Sequence, residues 1–284
     1  METINVLSLG AGVQSTALYL KFARGEMAEK LDAAIFADTQ DEPAAVYRHL
    51  EWMKSLGGPP ILTGTAGKLS EDLRNGRNST GGRFASIPAF TTADEGLTRG
   101  KTRRQCSKEY KTEVIGKVLR REVLGLAPSK TPKSVKVQQF IRISLDEAGR
   151  ANRLERNAPA PRYMRRRFPL IEQNLTRANC VTYLADKVPH QTPRSACVFC
   201  PYHNDYEWYR QKIEAPEEFA HSCEVDEALR SKNSIFTRKL DQVMYLHKSC
   251  QPLALVQFDP TPPKPRAAQL QLNFVEECEG VCGV

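Results

Sequence analysis

Two glycines, Gly10 and Gly12, separate an apolar run at residues 4–7 from the hydroxyl side chains of Ser15 and Thr16. Because glycine adopts backbone angles that other residues resist, this spacing predicts a tight turn between a strand and a helix. The first N–H groups of a helix are unpaired and carry partial positive charge, so such a turn is suited to bind phosphate. The G-x-G-x-x-G pattern and the Gly-Lys-Ser/Thr ending of a Walker loop are both absent. A glycine-containing turn without a ligand is the alternative.

A second group of reactive residues is the Cys-x-x-Cys pair of Cys197 and Cys200, which Pro201 follows directly. This spacing lets two thiolates face one centre and is common in zinc and iron–sulfur sites. Thiolates alone do not choose the metal, so structural zinc and a redox-active dithiol both stay open. A tetrahedral zinc site would have the ligands Cys180, Cys197, Cys200 and His203.

Composition limits the classes of protein to which the chain can belong. Its 284 residues, 40% of them hydrophobic, suffice for one large α/β domain or a domain with an appendage. No run of 18 or more apolar residues is present, and the N-terminus lacks the pattern of a signal peptide. We therefore expect a cytoplasmic protein with no membrane partner, in which the eight cysteines are ligands or redox groups rather than disulfides.

The net charge of +8 is concentrated in one segment. Residues 101–167 contain 19 lysines and arginines against 6 acidic residues. Such a segment favours a polyanionic partner, either a nucleic acid or a nucleotide. A solvated basic surface is the alternative.

The hydrophobic pattern predicts the elements that position these residues. Apolar strands alternate with helices over residues 1–64, which indicates an α/β fold with a doubly wound, Rossmann-like parallel sheet. Residues 75–100 are rich in Gly, Ser, Thr and Asn and are expected to form a long loop. Strands are expected at residues 4–9, 33–37, 60–62 and 136–144. Helices are expected at residues 14–24, 43–55, 107–124 and 176–187, and from residues 204 and 216 onward.

These elements divide the chain into three expected parts. Residues 1–187 form the α/β domain, and residues 188–258 form a helical, cysteine-bearing region packed on it. Residues 259–284 form a proline-rich linker and a flexible tail.

Asp38 follows the second predicted strand directly. Ligands bind at the carboxyl ends of the strands in an open parallel sheet, so we expect Asp38 and the turn at residues 10–12 to share one pocket. Asp38 could there accept a hydrogen bond from the base or sugar of a nucleotide. A helix-capping role is the alternative.

Two segments carry a resemblance to a known family. Ser8-Leu9-Gly10-Ala11-Gly12-Val13-Gln14-Ser15-Thr16 resembles the PP-loop of the ATP-pyrophosphatase superfamily, and Asp38-Thr39-Gln40-Asp41-Glu42-Pro43 is similar to a second segment of that superfamily. Gln14 replaces the usual Asp, as in the phosphoadenosine phosphosulfate reductase family, and Gln40 replaces a usual Gly.

The resemblance implies a parallel five-stranded sheet with an adenine nucleotide at its carboxyl edge. That nucleotide would be ATP or a (phospho)adenylyl sulfate, with magnesium as a candidate companion ion. The nucleotide-binding residues implied are Ser8, Gly10, Gly12, Gln14, Ser15, Thr16 and Asp38.

Two further segments resemble parts of the reductase family. Residues 101–111 are similar to a segment that supplies an iron–sulfur cysteine in adenylylsulfate reductases, although Gln105 stands where those enzymes have a second cysteine. The Arg and Lys side chains of this segment can clamp phosphate or sulfate oxygens, and an exposed basic helix with an incidental cysteine is the alternative. Residues 140–150 are similar to a strand and loop that hold the substrate, with helix capping as the alternative. The substrate-binding residues implied are Arg103, Arg104, Lys111, Ser144, Asp146, Glu147 and Arg150.

The same resemblance adds Cys106 to the Cys-x-x-Cys pair. It implies a [4Fe–4S] cluster, with zinc as the alternative metal. We expect the ligands to be Cys106, Cys197, Cys200 and Cys180; Cys223, His203 or no residue are the alternatives for the fourth position.

The tail contains Cys278 and Cys282. The reductase family ends in Glu-Cys-Gly-Leu-His, whose cysteine attacks the substrate sulfur, and only Glu277-Cys278 matches it. The resemblance implies Cys278 or Cys282 as the catalytic nucleophile. An acidic tail without a catalytic role is the alternative.

Three functions follow from these observations. The first is a phosphoadenosine phosphosulfate reductase-like enzyme that a thioredoxin-like thiol reductant regenerates. The second is ATP-dependent adenylation and sulfur transfer to a nucleic acid, tRNA or DNA, with a separate sulfur donor. The third is a zinc-stabilised module that binds nucleic acid without turnover.

Overall fold

A computed structural model of the chain describes residues 3–81, 87–93, 98–128, 130–133, 136–231 and 242–263. Its strands are β1 (Thr3–Leu9), β2 (Ala33–Asp38), β3 (Ile61–Thr65), β4 (Phe90–Ala93), β5 (Thr98–Lys101), β6 (Lys136–Phe140), β7 (Met164–Arg167) and β8 (Val243–Tyr245). Five of them form a sheet of order β3-β2-β1-β6-β7, in which each neighbouring pair is parallel. The predicted parallel sheet is confirmed.

The helices of the described part lie between and after these strands. They are α1 (Val13–Ala23), α2 (Ala44–Ser55), α3 (Leu69–Arg74), α4 (Glu113–Val118), α5 (Ala148–Asn157), α6 (Pro169–Glu172), α7 (Arg177–Leu184), α8 (Asp205–Glu214) and α9 (Pro216–Arg230). Two π-helical turns, Lys108–Thr112 and Leu119–Val123, extend α4 at either end. None of the helices in this part of the chain is long and apolar enough to cross a bilayer.

Helices cover both faces of the parallel sheet. Successive side chains of a strand point to opposite faces, so each central strand contributes to two cores. Leu7 and Phe36 pack in one core with α1, α2 and α7. Ile35 and Val137 pack in the other with α4. This arrangement confirms the doubly wound fold.

The strand order creates a crevice at one edge of the sheet. The chain winds from β1 out to β3 and later returns to the opposite side of β1 with β6. The segments that leave the carboxyl ends of β1 and β6 therefore diverge, and ligands bind at such a point in open α/β sheets. The expected phosphate-binding turn lies at this point because it directly follows β1.

Residues 75–100 do not form a single loop, so that prediction was wrong for the residues that the structure describes. β4 and β5 pair antiparallel, and β8 adds a third strand on the other side of β4. Local composition could not reveal this sheet because β8 lies far along the chain. The small sheet therefore joins segments from both sides of residue 187.

Two further differences concern β6 and β7. β6 ends at Phe140 instead of Ser144, because its partner strand β7 ends at Arg167. The last hydrogen bond between the two segments runs from the N–H of Ile141 to the carbonyl of Arg167 at 2.9 Å. β7 was not predicted, since Met-Arg-Arg-Arg lacks an alternating apolar pattern.

Candidate functional site at the carboxyl edge of the sheet

The turn after β1 forms the N-terminus of α1. Ala11 has a left-handed backbone with φ 57°, and Gly12 is the N-cap residue with φ −103°. The N–H of Gly12 donates to Oγ of Ser15 at 3.1 Å, and the N–H of Thr16 donates to the carbonyl of Gly12 at 2.9 Å. Gly12, Val13 and Gln14 line the crevice, so the first turn of α1 borders it, and a phosphate site at this turn stays a prediction.

Gly10 lets the side chain of Arg142 approach the backbone of the turn, and its own backbone angle is not the reason for a glycine here. A Cβ atom at this position would lie 2.5 Å from Nη2 of Arg142. Arg142 follows β6, is 3% exposed, and donates from Nη1 to the carbonyl of Ser8 at 3.3 Å. Sequence analysis expected unusual backbone angles at the glycines, but the left-handed residue of this turn is Ala11.

Ser8 and Thr16 support the turn from inside the fold. Both side chains are fully buried. Oγ of Ser8 accepts a hydrogen bond from Nε2 of Gln139 at 2.9 Å, and Oγ1 of Thr16 lies 2.9 Å from Nε2 of His49.

Gln14 connects α1 to the segments that follow β6. Its Nε2 donates to Oγ of Ser144 at 3.3 Å and to Oε2 of Glu147 at 2.9 Å. Its Oε1 accepts a hydrogen bond from Arg177 at 2.8 Å. The amide of Gln14 thus joins a carboxylate to a guanidinium, which an aspartate at this position could not do.

The remaining predicted residues after β6 lie in the same place. Glu147 is paired with Arg150, and Oδ1 of Asp146 accepts the backbone N–H of Arg177 at 3.1 Å. Ser144, Asp146, Glu147 and Arg150 therefore stand together beside Gln14, where they could contact a ligand of the α1 N-terminus. Their role as substrate-binding residues stays a prediction.

Asp38 lies at the carboxyl end of β2. Its Oδ1 accepts the N–H of Gln40 at 2.7 Å and the hydroxyl of Tyr47 at 2.8 Å. Burial and the Asp38 carboxylate raise the pKa of Tyr47, so this hydroxyl stays a donor. Gln40 has a left-handed backbone with φ 59°, a conformation that glycine adopts without strain.

A cavity lies in the crevice between the loops that follow β1 and β6. Its walls include the N-terminus of α1, Arg142, Arg177 and residues 193–195. Arg194 of that segment forms an ion pair with Glu207. Because three guanidinium groups line the cavity beside a helix N-terminus, it is suited to an anion.

The 193–195 segment continues directly into the Cys-x-x-Cys pair. The Cα of Gly12 packs against Ser195, since a Cβ on Gly12 would lie 3.5 Å from the Ser195 Cβ. Two residues later, Sγ of Cys197 lies 3.3 Å from Oγ1 of Thr39, and the N–H of Val198 donates to the carbonyl of Asp41 at 2.8 Å. The loops after β1 and β2 thus pack on one cysteine-bearing segment.

Cys106 and Cys200 both lie near the phenol of Tyr202. Burial raises the pKa of Tyr202 to about 12, with Arg104 lowering it and the two thiols raising it. Nζ of Lys101 is 4.0 Å from the centre of the Tyr202 ring, and the Arg104 guanidinium is 5.4 Å from it. Since Cys106 and Cys197 also share one buried cluster, the three cysteines come from one region of the molecule that carries nearby cations.

The chemistry of these cysteines is compatible with an iron–sulfur cluster, because three buried thiols lie in one region that carries nearby cations. Among the described residues, no three His, Cys, Asp or Glu side chains are arranged to hold one metal ion. In a cluster each thiolate binds its own iron atom, so the cysteines stand farther apart than the ligands of one zinc ion. Cys106, Cys197 and Cys200 are the residues that would hold it.

Cys180 lies elsewhere in the fold. It is part of the core between α1 and α7, and burial raises the pKa of its thiol to about 11. Burial likewise raises the pKa of Cys223 on α9 to about 11. The ring of His203 packs edge-on against Trp208 at 4.8 Å between ring centres. Both the expected cluster ligand set and the zinc alternative require Cys180 to lie beside Cys197. The structure places the two cysteines in different cores, so it does not bring them together.

Other predicted residues have separate environments. Lys111 forms a buried ion pair with Glu42 at 2.8 Å, whereas Arg103 is exposed. Cys278 and Cys282 lie outside the described residues.

Sequence reasoning missed Arg142, Ser195 and Arg177. Arg142 was read as part of a strand, and the strand ends two residues before it. A charged residue just past the carboxyl end of a strand is a signal that could have found it. Ser195 and Arg177 carried no local signal, because only the tertiary fold brings them to α1.

His49, which contacts Thr16 of the turn, should make the stability of the protein depend on pH. Burial and the neighbouring His190, whose Nε2 lies 2.8 Å from Nδ1 of His49, lower the pKa of His49 to about 4. The unfolded chain binds this proton near pH 6.5, so the stabilisation is lost as the pH falls from about 6.5 to about 4. We expect a loss on the order of 3 kcal/mol over that window. Urea unfolding of the wild type and of His49→Asn at pH 7, 5.5 and 4.5 measures it, and equal pH slopes for the two would contradict it.

Comparison with known proteins adds a likeness to solved structures. No protein-family model and no curated protein matches the chain. Among solved structures, it is similar to the U34-tRNA thiolase NcsA from Methanococcus maripaludis with its [4Fe-4S] cluster, at 15% identity and a TM-score of 0.36. The match covers 80% of this chain and 71% of that one. At this level the likeness assigns neither a reaction nor a substrate to this chain.

Proposed function

We propose that the chain is a PP-loop enzyme that binds ATP at the N-terminus of α1, adenylates an acceptor and transfers sulfur to it. One observation carries this proposal: residues 193–198 line the anion cavity at Ser195 and place Cys197 beside the loop after β2. A nucleotide phosphate and a sulfur-binding centre would therefore share one wall. This coupling is what a sulfur transfer driven by ATP requires.

The adenylation step uses the geometry of α1. A carbonyl oxygen of the acceptor attacks the α-phosphorus of ATP, the bond to the β-phosphate oxygen breaks, and pyrophosphate leaves. The N–H groups of α1 and the guanidinium groups of the cavity stabilise the negative charge that develops on the departing oxygens. Hydrosulfide then attacks the activated carbon, AMP leaves, and the C=O bond has become C=S.

Cys106, Cys197 and Cys200 are the proposed residues for the sulfur-transfer step. These three thiolates would hold a [4Fe–4S] cluster, which when bound would supply a binding site for inorganic sulfide. Lys101 and Arg104, which lie over the Tyr202 ring, place positive charge near these cysteines.

A nucleic acid is the acceptor that the charge distribution favours. Residues 101–167 contain 19 basic and 6 acidic residues, and Arg103 in this segment is exposed three positions before Cys106. A polyanion bound along this segment would therefore reach the cysteine region.

A second candidate is the reduction of a (phospho)adenylyl sulfate. The Gln14 network with Ser144 and Glu147 favours it, because Gln14 is the residue type of the reductase branch. A thiolate of Cys278 or Cys282 would attack the substrate sulfur, the sulfate–phosphate bond would break, and the nucleotide would leave. A dithiol would then reduce the S-sulfocysteine and release sulfite.

A double variant separates the two reactions. Cys278→Ala with Cys282→Ala in the full chain is expected to leave AMP and pyrophosphate formation unchanged when ATP, sulfide and bulk tRNA or duplex DNA are supplied. Sulfite formation from adenylyl sulfate and dithiothreitol is the parallel assay. If the wild type makes sulfite and the double variant does not, the reductase is correct and the sulfur-transfer proposal is not.

A further inference from the structure

Arg142 is a buried guanidinium without a counterion. Only 3% of the residue is exposed, and no carboxylate in the described part of the chain lies within 4.0 Å of its nitrogens. Its Nη2 has no hydrogen-bond partner among the described residues. Burying an unpaired charge destabilises the folded state, so we infer that Arg142 has a role other than stabilising the fold.

Ser195 presents a second unpaired atom to the same cavity. The residue is 7% exposed, and its Oγ has no partner within the ranges that the structure describes. A hydroxyl can donate or accept, but the guanidinium beside it can only donate. One ligand that satisfies both groups must therefore be an acceptor.

The N-terminus of α1 faces the same point. α1 has 11 residues, so its first turn offers free N–H groups and the positive end of a full helix dipole. The lack of a side chain at Gly10 lets the Arg142 guanidinium lie against the turn, and Gly12 packs on Ser195. Two acidic side chains that contact residues lining the cavity, Glu147 and Glu207, are already paired with Arg150 and Arg194.

We propose that Arg142 and Ser195 bind a tetrahedral oxyanion against the N-terminus of α1, and that this anion is the missing counterion of Arg142. The inference rests on the proposed function in that the anion is a phosphate or sulfate group of the nucleotide substrate. Arg142 then selects ligands that carry such a group and rejects the free nucleoside.

The proposal has a consequence for the protein without ligand. Methionine approximates the volume of the arginine stem and carries no charge, so Arg142→Met relieves the uncompensated burial. We expect this variant to unfold at the same temperature as the wild type or at a higher one, while a given concentration of pyrophosphate raises that temperature less than in the wild type. A purely structural arginine would give the opposite result in the absence of anion.

Isothermal titration with inorganic pyrophosphate, phosphate and sulfate tests the site on the full chain. Arg142→Met is expected to weaken pyrophosphate binding roughly 30-fold, and Ser195→Ala about 5-fold. Arg156→Met removes an exposed charge from α5 and is the control, with affinity unchanged. Tighter binding of sulfate than of phosphate by the wild type would identify the sulfate group of an adenylyl sulfate as the ligand.

Two results would overturn the inference, and they differ. If the wild type binds pyrophosphate and folded Arg142→Met binds it within about twofold, the inference fails while the proposed function stands. If the wild type binds neither these anions nor ATP, the proposed function fails with it. Should Arg142→Met not fold, Arg142→Lys and Ser195→Ala decide, because both must weaken binding for the proposal to hold.

Discussion

The Gly12→Asp variant is expected to lose ATP binding while it keeps the fold. Gly12 has φ −103°, which other residues adopt, and a Cβ there meets Ser195 only at an ordinary contact distance of 3.5 Å. Aspartate is a favoured N-cap residue, so its carboxylate would accept the N–H groups of α1 in place of a phosphate. Repulsion between two charges about 4 Å apart is about 4 kcal/mol at a site of intermediate polarity, or roughly a thousandfold in affinity.

Gly12→Ala is the matched control for this variant. It adds the same Cβ without the charge, and we expect its ATP affinity to stay within about threefold of the wild type. In the absence of ligand, Gly12→Asp should be more stable than Gly12→Ala by about 1 kcal/mol, since only aspartate caps the helix. Equal ATP affinities for the two variants in calorimetric titration would show that the nucleotide binds elsewhere.

The Cys197→Ala variant is expected to lose its iron. With two thiolates left from the proposed set of Cys106, Cys197 and Cys200, the cluster would lack the ligands that retain it. Iron and acid-labile sulfide after anaerobic purification should fall from about four of each per chain to near zero. The visible absorbance of the cluster should disappear with them.

Cys180→Ala is the matched control, because it removes a buried cysteine outside the proposed ligand set. Its thiol lies in the core between α1 and α7, so the variant should keep full iron and sulfide content. If Cys180→Ala loses iron as Cys197→Ala does, Cys180 is a cluster ligand, as the sequence predicted, and is not a core residue alone. If neither variant changes the iron content, the Cys-x-x-Cys pair has another role.

Local pattern was enough to predict the parallel sheet and its first helices. The apolar runs that became β1 and β2 alternate with helices, and the doubly wound sheet follows from that alternation. The glycine turn was also located correctly, because a strand and a helix flank it. By contrast, the sheet of β4, β5 and β8 depends on a pairing between segments far apart in sequence.

The candidate site was predictable only in part, for the same reason. Gln14, Ser144 and Glu147 were named from resemblance, and the structure does bring them into contact. Cys180 was named as the expected fourth ligand, but sequence cannot tell a core cysteine from a ligand. Arg142 was missed because the strand was predicted to continue past it, and Ser195 because nothing in the sequence marks it; that both have unpaired polar atoms is visible only in the packed structure.

In the proposed enzyme, a nucleotide site and an iron–sulfur centre share the wall formed by residues 193–198. The electron paramagnetic resonance spectrum of the anaerobically purified, dithionite-reduced protein, recorded with and without ATP, tests it most directly. We expect the signal of a reduced [4Fe–4S] cluster whose g-values change on addition of ATP but not of adenosine. Stoichiometric zinc with no iron signal, or a cluster signal that ATP leaves unchanged at saturating concentration, would contradict the claim.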